Sequence, residues 1–335
     1  MTGTFGTARV SAHYLLIIAL VFLLCPRSPG EQSPSRADEI FRLGVKQLEV
    51  GNLNASAPFF FEAVKTSKNQ GQVALRIAQE LRKYGYNGPA ITFLEIAIKH
   101  SPRDGQIARL LGDTYLKVGD FSQALRNLLL SEELLPPSPR PELQRDLAYA
   151  LAGLHRFDKA EKRARQAIRD AEELVSRGKR VDPLRFRLLL ARVYVLWKRY
   201  PQALAELETT LNANPPDDVL PECYLDRAES RQATGDLRGA TIDFERHLAL
   251  SPRSAEGHYR FALFLIRTQK HERVRPLLER TLELEPNHES ACYNLARMLL
   301  RTGEKKKGAQ LLERYKKLAA TRREAQARLN SPLKE

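Results

Sequence analysis

Residues 107–136, IARLLGDTYLKVGDFSQALRNLLLSEELLP, hold two apolar stripes of helical period, interrupted by Gly119-Asp120 and stopped by Pro136. Apolar residues recurring every three to four positions predict amphipathic helices. A glycine followed by aspartate marks a turn, and proline cannot continue a helical hydrogen-bond ladder. The segment therefore reads helix, turn, helix. Sliding the chain against itself by 34 residues aligns 37–70, 71–104 and 105–138 without a gap, then 141–174, 184–217, 221–254, 255–288 and 289–322 after short insertions. A fixed period of this length is the signature of a stacked array rather than of a single globule.

Two positions of the period are small almost throughout. The eighth holds Gly44, Ala78, Gly112, Ala148, Ala191, Ala228, Ala262 and Ala296; the twentieth holds Ser56, Ala90, Ala124, Ala160, Ala203, Ala240, Val274 and Gly308. Two antiparallel helices approach closely only where both facing surfaces are small. Larger apolar residues flank these contacts, at the seventh position (Leu43, Ile77, Leu111) and the twenty-fourth (Phe60, Leu94, Leu128). Pro102, Pro136, Pro215, Pro252 and Pro286 close five of the units.

On these residues the chain resembles the tetratricopeptide-repeat family over residues 37–322. The resemblance implies an all-α fold, a right-handed superhelical solenoid of about eight helix-turn-helix repeats. First helices line a concave groove and second helices form the convex back. It further implies a scaffold that binds proteins or peptides in that groove, since each unit buries its apolar face only by stacking on neighbours.

The departures carry their own expectations. Residues 175–183, VSRGKRVDP, should lengthen the second helix of the fourth unit and break it at Gly178 and Pro183, as a hinge or protruding corner. The last unit lacks its closing proline, so its second helix should run on to about Asn330 as a polar end cap, with 323–335 forming a basic extension and tail. Arg227 and Arg231 occupy positions where apolar residues are expected. Family members often pair arginine at the seventh position with aspartate at the twenty-third, which is Asp243 here, so an ion pair across that unit is expected. The run Phe59-Phe60-Phe61 is read as packing, and Cys223 and Cys292, two repeats apart, as buried thiols too distant to bridge.

The N-terminus bears on compartment. Tyr14 to Cys25, YLLIIALVFLLC, is an apolar run too short for an ordinary membrane span, followed by Pro26-Arg27 and the small residues Ser28-Pro29-Gly30. Residues 1–30 are read as a secretory signal peptide, with an uncleaved anchor as the rival reading, and 31–36 as a linker. The expected location is exported, periplasmic or secreted. The formal charge is +14, and residues 301–335 hold eleven basic against four acidic side chains, half the excess. A polyanion or membrane-surface role for that tail, through Lys305-Lys306-Lys307, Lys316-Lys317 and Arg322-Arg323, is the alternative function.

No metal-ligand spacing among the histidines, no phosphate-binding glycine loop and no nucleophile motif are present, so neither a cofactor nor an enzymatic activity is expected. Function is expected from the groove. In the family the fifth and ninth positions of the first helix face inward; the resemblance places there Phe41 and Val45, Arg109 and Asp113, Arg145 and Tyr149, Arg192 in the fifth unit, Tyr259 and Leu263, and Tyr293 and Arg297. The middle of this series is basic and its ends are apolar or aromatic. It suits an acidic protein or peptide segment with hydrophobic anchors. Nucleic acid is disfavoured by export, and a membrane partner follows only if the signal segment is retained.

Overall fold

The computed structural model describes residues 35–330, with side chains as far as Arg323. The signal segment, residues 1–30, and the last five residues of the tail lie outside the described residues. Sixteen α-helices and no strand are present among those residues, arranged as antiparallel pairs. In chain order, α1 (Arg36–Glu49) pairs with α2 (Leu53–Thr66), α3 (Gln70–Lys83) with α4 (Asn87–His100), α5 (Gly105–Val118) with α6 (Phe121–Leu134), and α7 (Pro141–Gly153) with α8 (Phe157–Ser176). Then α9 (Leu184–Leu196) pairs with α10 (Tyr200–Asn212), α11 (Leu220–Thr234) with α12 (Leu237–Leu250), α13 (Ala255–Arg267) with α14 (Val274–Leu284), and α15 (Glu289–Arg301) with α16 (Lys305–Asn330). Each pair stacks on the next, and α16 also reaches back to touch α4.

Small residues hold the pairs together. Every residue at the eighth and twentieth positions of the period is buried. A β-carbon added at Gly112 would lie 2.7 Å from Leu128 Cγ, and one at Gly44 would lie 2.6 Å from a Phe60 ring carbon, so these crossings tolerate no side chain. Val274 is the one branched residue in either series, and its unit departs locally: a short 3₁₀ turn, His271–Arg273, precedes α14.

Phe60 is fully buried, with the rings of Phe41 and Phe93 at 6.2 and 6.0 Å; Phe61 is buried 5.0 Å from Phe93. Phe59 is half-buried, so the aromatic run is packing. Cys223 and Cys292 are buried free thiols, and burial pushes Cys223 up to about 12, leaving it protonated and unreactive. In the fourth unit α8 extends to Ser176, Gly178 takes a left-handed φ of 75°, and the chain restarts helix after Pro183.

The Arg227 and Asp243 ion pair forms within one helix pair. Asp243 is fully buried and accepts from Arg227 Nη2 at 2.7 Å and Nε at 2.9 Å. Arg231, one helical turn away, adds a bond from Nη1 at 2.8 Å. The odd arginine of the sixth unit thus belongs to the same cluster.

The turns between paired helices follow a rule with exceptions. In units 1, 3 and 6 a glycine with positive φ (Gly51, Gly119, Gly235) precedes a side chain that caps the second helix: Asn52 accepts from Ala55 N–H, Asp120 from Gln123 N–H and Asp236 from Gly239 N–H. In units 4 and 5 the left-handed residues are His155 and Lys198, at φ 56° and 59°, and the following Arg156 and Arg199 make no capping bond. A β-carbon in the left-handed region costs about 1 kcal/mol and a lost cap about another. Two successive turns forgo both.

Candidate functional site

The first helices α5, α7, α9, α11, α13 and α15 repeat the same face along the array, so side chains at equivalent positions form a ladder. The structure pairs the ninth position of one unit with the sixth of the next. Arg192 donates to Asp226 at 2.7 Å, and Arg260 to Glu229 at 2.9 Å. Arg192 also reaches Glu222 at 2.7 Å. Burial opposes the Arg192 charge, but the Asp226 and Glu222 carboxylates more than offset it, so its pKa rises. Burial pushes the Asp226 carboxyl up, and Arg192 pulls it only part of the way back.

In the middle of the array Arg145 pairs with Asp146 at 2.8 Å and with Glu142, while Asp113 is held by Arg82 and, at 3.6 Å, by Lys117. Arg109 is half-buried and acts on Asp146 through its field rather than by direct contact. Asp113, Lys117, Arg145 and Asp146, with Leu116, Phe121 and Tyr149, line a shallow cavity of about 430 Å³. Tyr149 stands 38% exposed at its rim.

Toward the C-terminal end, Tyr293 is 37% exposed, against Tyr315 at 5.2 Å, with the Arg297 guanidinium 5.5 Å from its ring. Arg297 also borders a cavity of about 300 Å³ shared with Ile266, Val274 and Met298. Tyr259 is half-buried, its hydroxyl accepting from Asn294 at 3.2 Å and its ring 4.5 Å from His288. Leu263 is half-buried on the same face.

Two sequence expectations change. Phe41 is buried, its ring covered by the Arg76 guanidinium at 4.6 Å, and Val45 packs against the same core, so the N-terminal end offers no apolar anchor. The inner helix of the first unit is covered by Arg76 from the second. The middle of the groove is not a free basic stripe either, because Arg145 and Arg192 already hold carboxylates. Asp146, Asp226 and Arg260, all at sixth positions, lie outside the fifth-and-ninth reading. The signal that finds them is charge at the sixth position of the following unit.

Among the described residues no group of histidines, cysteines and carboxylates is arranged to hold a metal ion, and no helix is long and apolar enough to cross a membrane.

Comparison with known proteins agrees with this architecture. Two family models described as tetratricopeptide repeat match residues 145–218 and 265–329. A tetratricopeptide repeat protein from Parabacteroides merdae superposes with a TM-score of 0.60 at 16% identity, over 77% of this chain and 97% of that one. PilW, a type IV pilus biogenesis factor, superposes with a TM-score of 0.53 at 15% identity, over 70% of this chain and 100% of that one. At such identities the likeness shows the fold. No curated protein sequence matches the chain. The repeat models, the solved folds and the helix pairs built on small eighth and twentieth residues agree: the chain belongs to the tetratricopeptide-repeat family, whose repeats generally serve as non-catalytic scaffolds for protein–protein contacts.

Proposed function

We propose that the chain is an extracytoplasmic scaffold that binds a protein or peptide segment along its concave face, with Tyr149 and Tyr293 as the apolar anchor points. The observation that carries this reading is their exposure, Tyr149 at the rim of a shallow cavity and Tyr293 beside Arg297, on a face where most neighbouring charges are mutually paired. Exposed tyrosine supplies a large contact area at low entropic cost, and a paired polar surround suits a rim around such anchors. Acidic residues in the partner would meet Arg109 and Arg297, which have no carboxylate within ion-pair distance among the described residues. Export is supported by the apolar run and small residues of positions 14–30.

Tyr149→Ala and Tyr293→Ala should each weaken partner binding by about tenfold, as interface anchors do. Neither should shift Tm appreciably, because neither side chain is in the core. Titration calorimetry with the purified partner checks the first statement and thermal melts the second. Undiminished binding in the double variant would remove the groove as the binding element and leave the basic C-terminal helix as the alternative.

A further inference from the structure

Each unit repeats the same turn, so the turns between paired helices line one edge of the array, apart from the concave face. On that edge units 4 and 5 present His155-Arg156 and Lys198-Arg199 where units 3 and 6 present Gly119-Asp120 and Gly235-Asp236. Lys159 adds a further exposed cation within the first turn of α8. Among the described residues none of these five has a carboxylate within ion-pair distance; Glu161, the acid that feels Arg199, is engaged by Arg165 at 2.9 Å.

The two turns form a single patch. The rings of Phe157 and Trp197 stack across them at 5.8 Å, the His155 ring lies 5.7 Å from Phe157, and the Arg199 guanidinium sits 3.3 Å over Trp197. Leu196 is 58% exposed beside Trp197. A guanidinium laid flat on an indole keeps its in-plane N–H groups free to receive a carboxylate, in a fixed orientation. Units 1, 3 and 6 place a glycine and a capping Asn or Asp in this turn, and Arg192, Arg227 and Arg260 of the array hold carboxylates. Here it does neither, in two successive units.

We propose that the turns of units 4 and 5 form a second interaction surface, separate from the groove, that seats a short acidic stretch of a partner protein carrying an apolar side chain. The carboxylates decide the source. Asp120 and Asp236 on the flanking turns bound the patch, and Asp158 lies within it. A flat anionic bilayer would press against all three acids. A compact acidic segment fits between the outer two, with its apolar side chain on Leu196 and Trp197. The charges match in sequence along the edge, negative, positive, positive, negative, which favours one placement of the segment.

The test gives both turns the chain's own unit 3 sequence: His155→Gly, Arg156→Asp, Lys198→Gly and Arg199→Asp together. Binding is read by fluorescence anisotropy with a labelled peptide of glutamates around one phenylalanine, and with its glutamine counterpart, at about 0.15 M salt. The intact protein should prefer the glutamate peptide by at least about tenfold, and the variant should lose at least about tenfold of that affinity. Its Tm should rise, since glycines and capping aspartates are restored, so unfolding cannot explain the loss. Tyr149→Ala with Tyr293→Ala should leave peptide binding unchanged. The proposal is overturned if the turn variant binds as tightly as the parent, or if the groove variant alone loses the peptide. It is equally overturned if the turn variant loses only its sedimentation with phosphatidylglycerol vesicles.

Discussion

Arg227→Ala combined with Arg231→Ala should destabilise the protein by about 3–5 kcal/mol, the cost of leaving a buried carboxylate without a partner. Asp243 is fully buried, and both of its hydrogen-bonding partners are on α11, facing it across the helix pair. Arg227→Ala alone should cost clearly less, because Arg231 Nη1 remains 2.8 Å from the carboxylate. The single and double variants together separate a shared cluster from an isolated pair. Chemical denaturation with the midpoint read by circular dichroism measures both, and a double variant no worse than the single one would show that Arg231 does not contribute.

Arg192→Ala is the second large effect, expected near 3 kcal/mol at neutral pH. Arg192 is nominally a groove residue, yet it joins α9 to α11 through Asp226, which is only 6% exposed. Truncation leaves that carboxylate buried and unpaired. The loss should shrink on acidification. Burial already pushes the Asp226 carboxyl up, and without Arg192 it rises further. A carboxyl whose folded pKa exceeds its unfolded value binds more protons in the folded state, so stability recovers as pH falls toward about 4. Melts of parent and variant across that range check the sign. A deficit that widens on acidification would contradict the account.

This second case also marks where sequence reasoning stopped. The fold was legible because its determinants are local and repeated: a small residue at the eighth position meets a small residue at the twentieth, in eight units, and all sixteen are buried. The Asp243 cluster was legible for the same reason, since both partners belong to one unit. The departure after Ser176 could be read from Gly178 and Pro183. The groove was only half legible. Its positions follow from the period, but its electrostatics depend on contacts between units. Arg192 meets Asp226 and Arg260 meets Glu229, each linking the ninth position of one unit to the sixth of the next, while Arg109, at a fifth position, acts on Asp146 of the following unit through its field. Reading the fifth and ninth positions alone counted the arginines and missed their carboxylates. Phe41 departs for the same reason, a contact between units: it is buried, and the cation covering its ring comes from Arg76 of the second unit.

The groove and the turn edge divide the surface differently from a simple charge count. About half the formal excess sits in residues 301–335, which made the tail the obvious basic element. Several of its side chains are engaged locally: Lys307 with Glu304 at 3.0 Å, Lys316 with Glu313 at 3.9 Å and Arg322 with Glu289 at 2.9 Å. Exposed pairs of this kind contribute little stability, but they dilute the field that a polyanion would feel. The turns of units 4 and 5 carry fewer cations, and theirs are uncompensated.

The central claim, that partners are held on the concave face, is tested most directly by site-specific photocrosslinking in the native host. A photoreactive phenylalanine analogue is placed singly at Tyr149 and Tyr293 on that face, and at Leu129 and Ile242, exposed on the second helices α6 and α12. The account predicts a discrete adduct from both concave positions, containing the same partner by mass spectrometry, and none from the convex ones. The same adduct from Leu129 or Ile242, with none from Tyr149 or Tyr293, would contradict it.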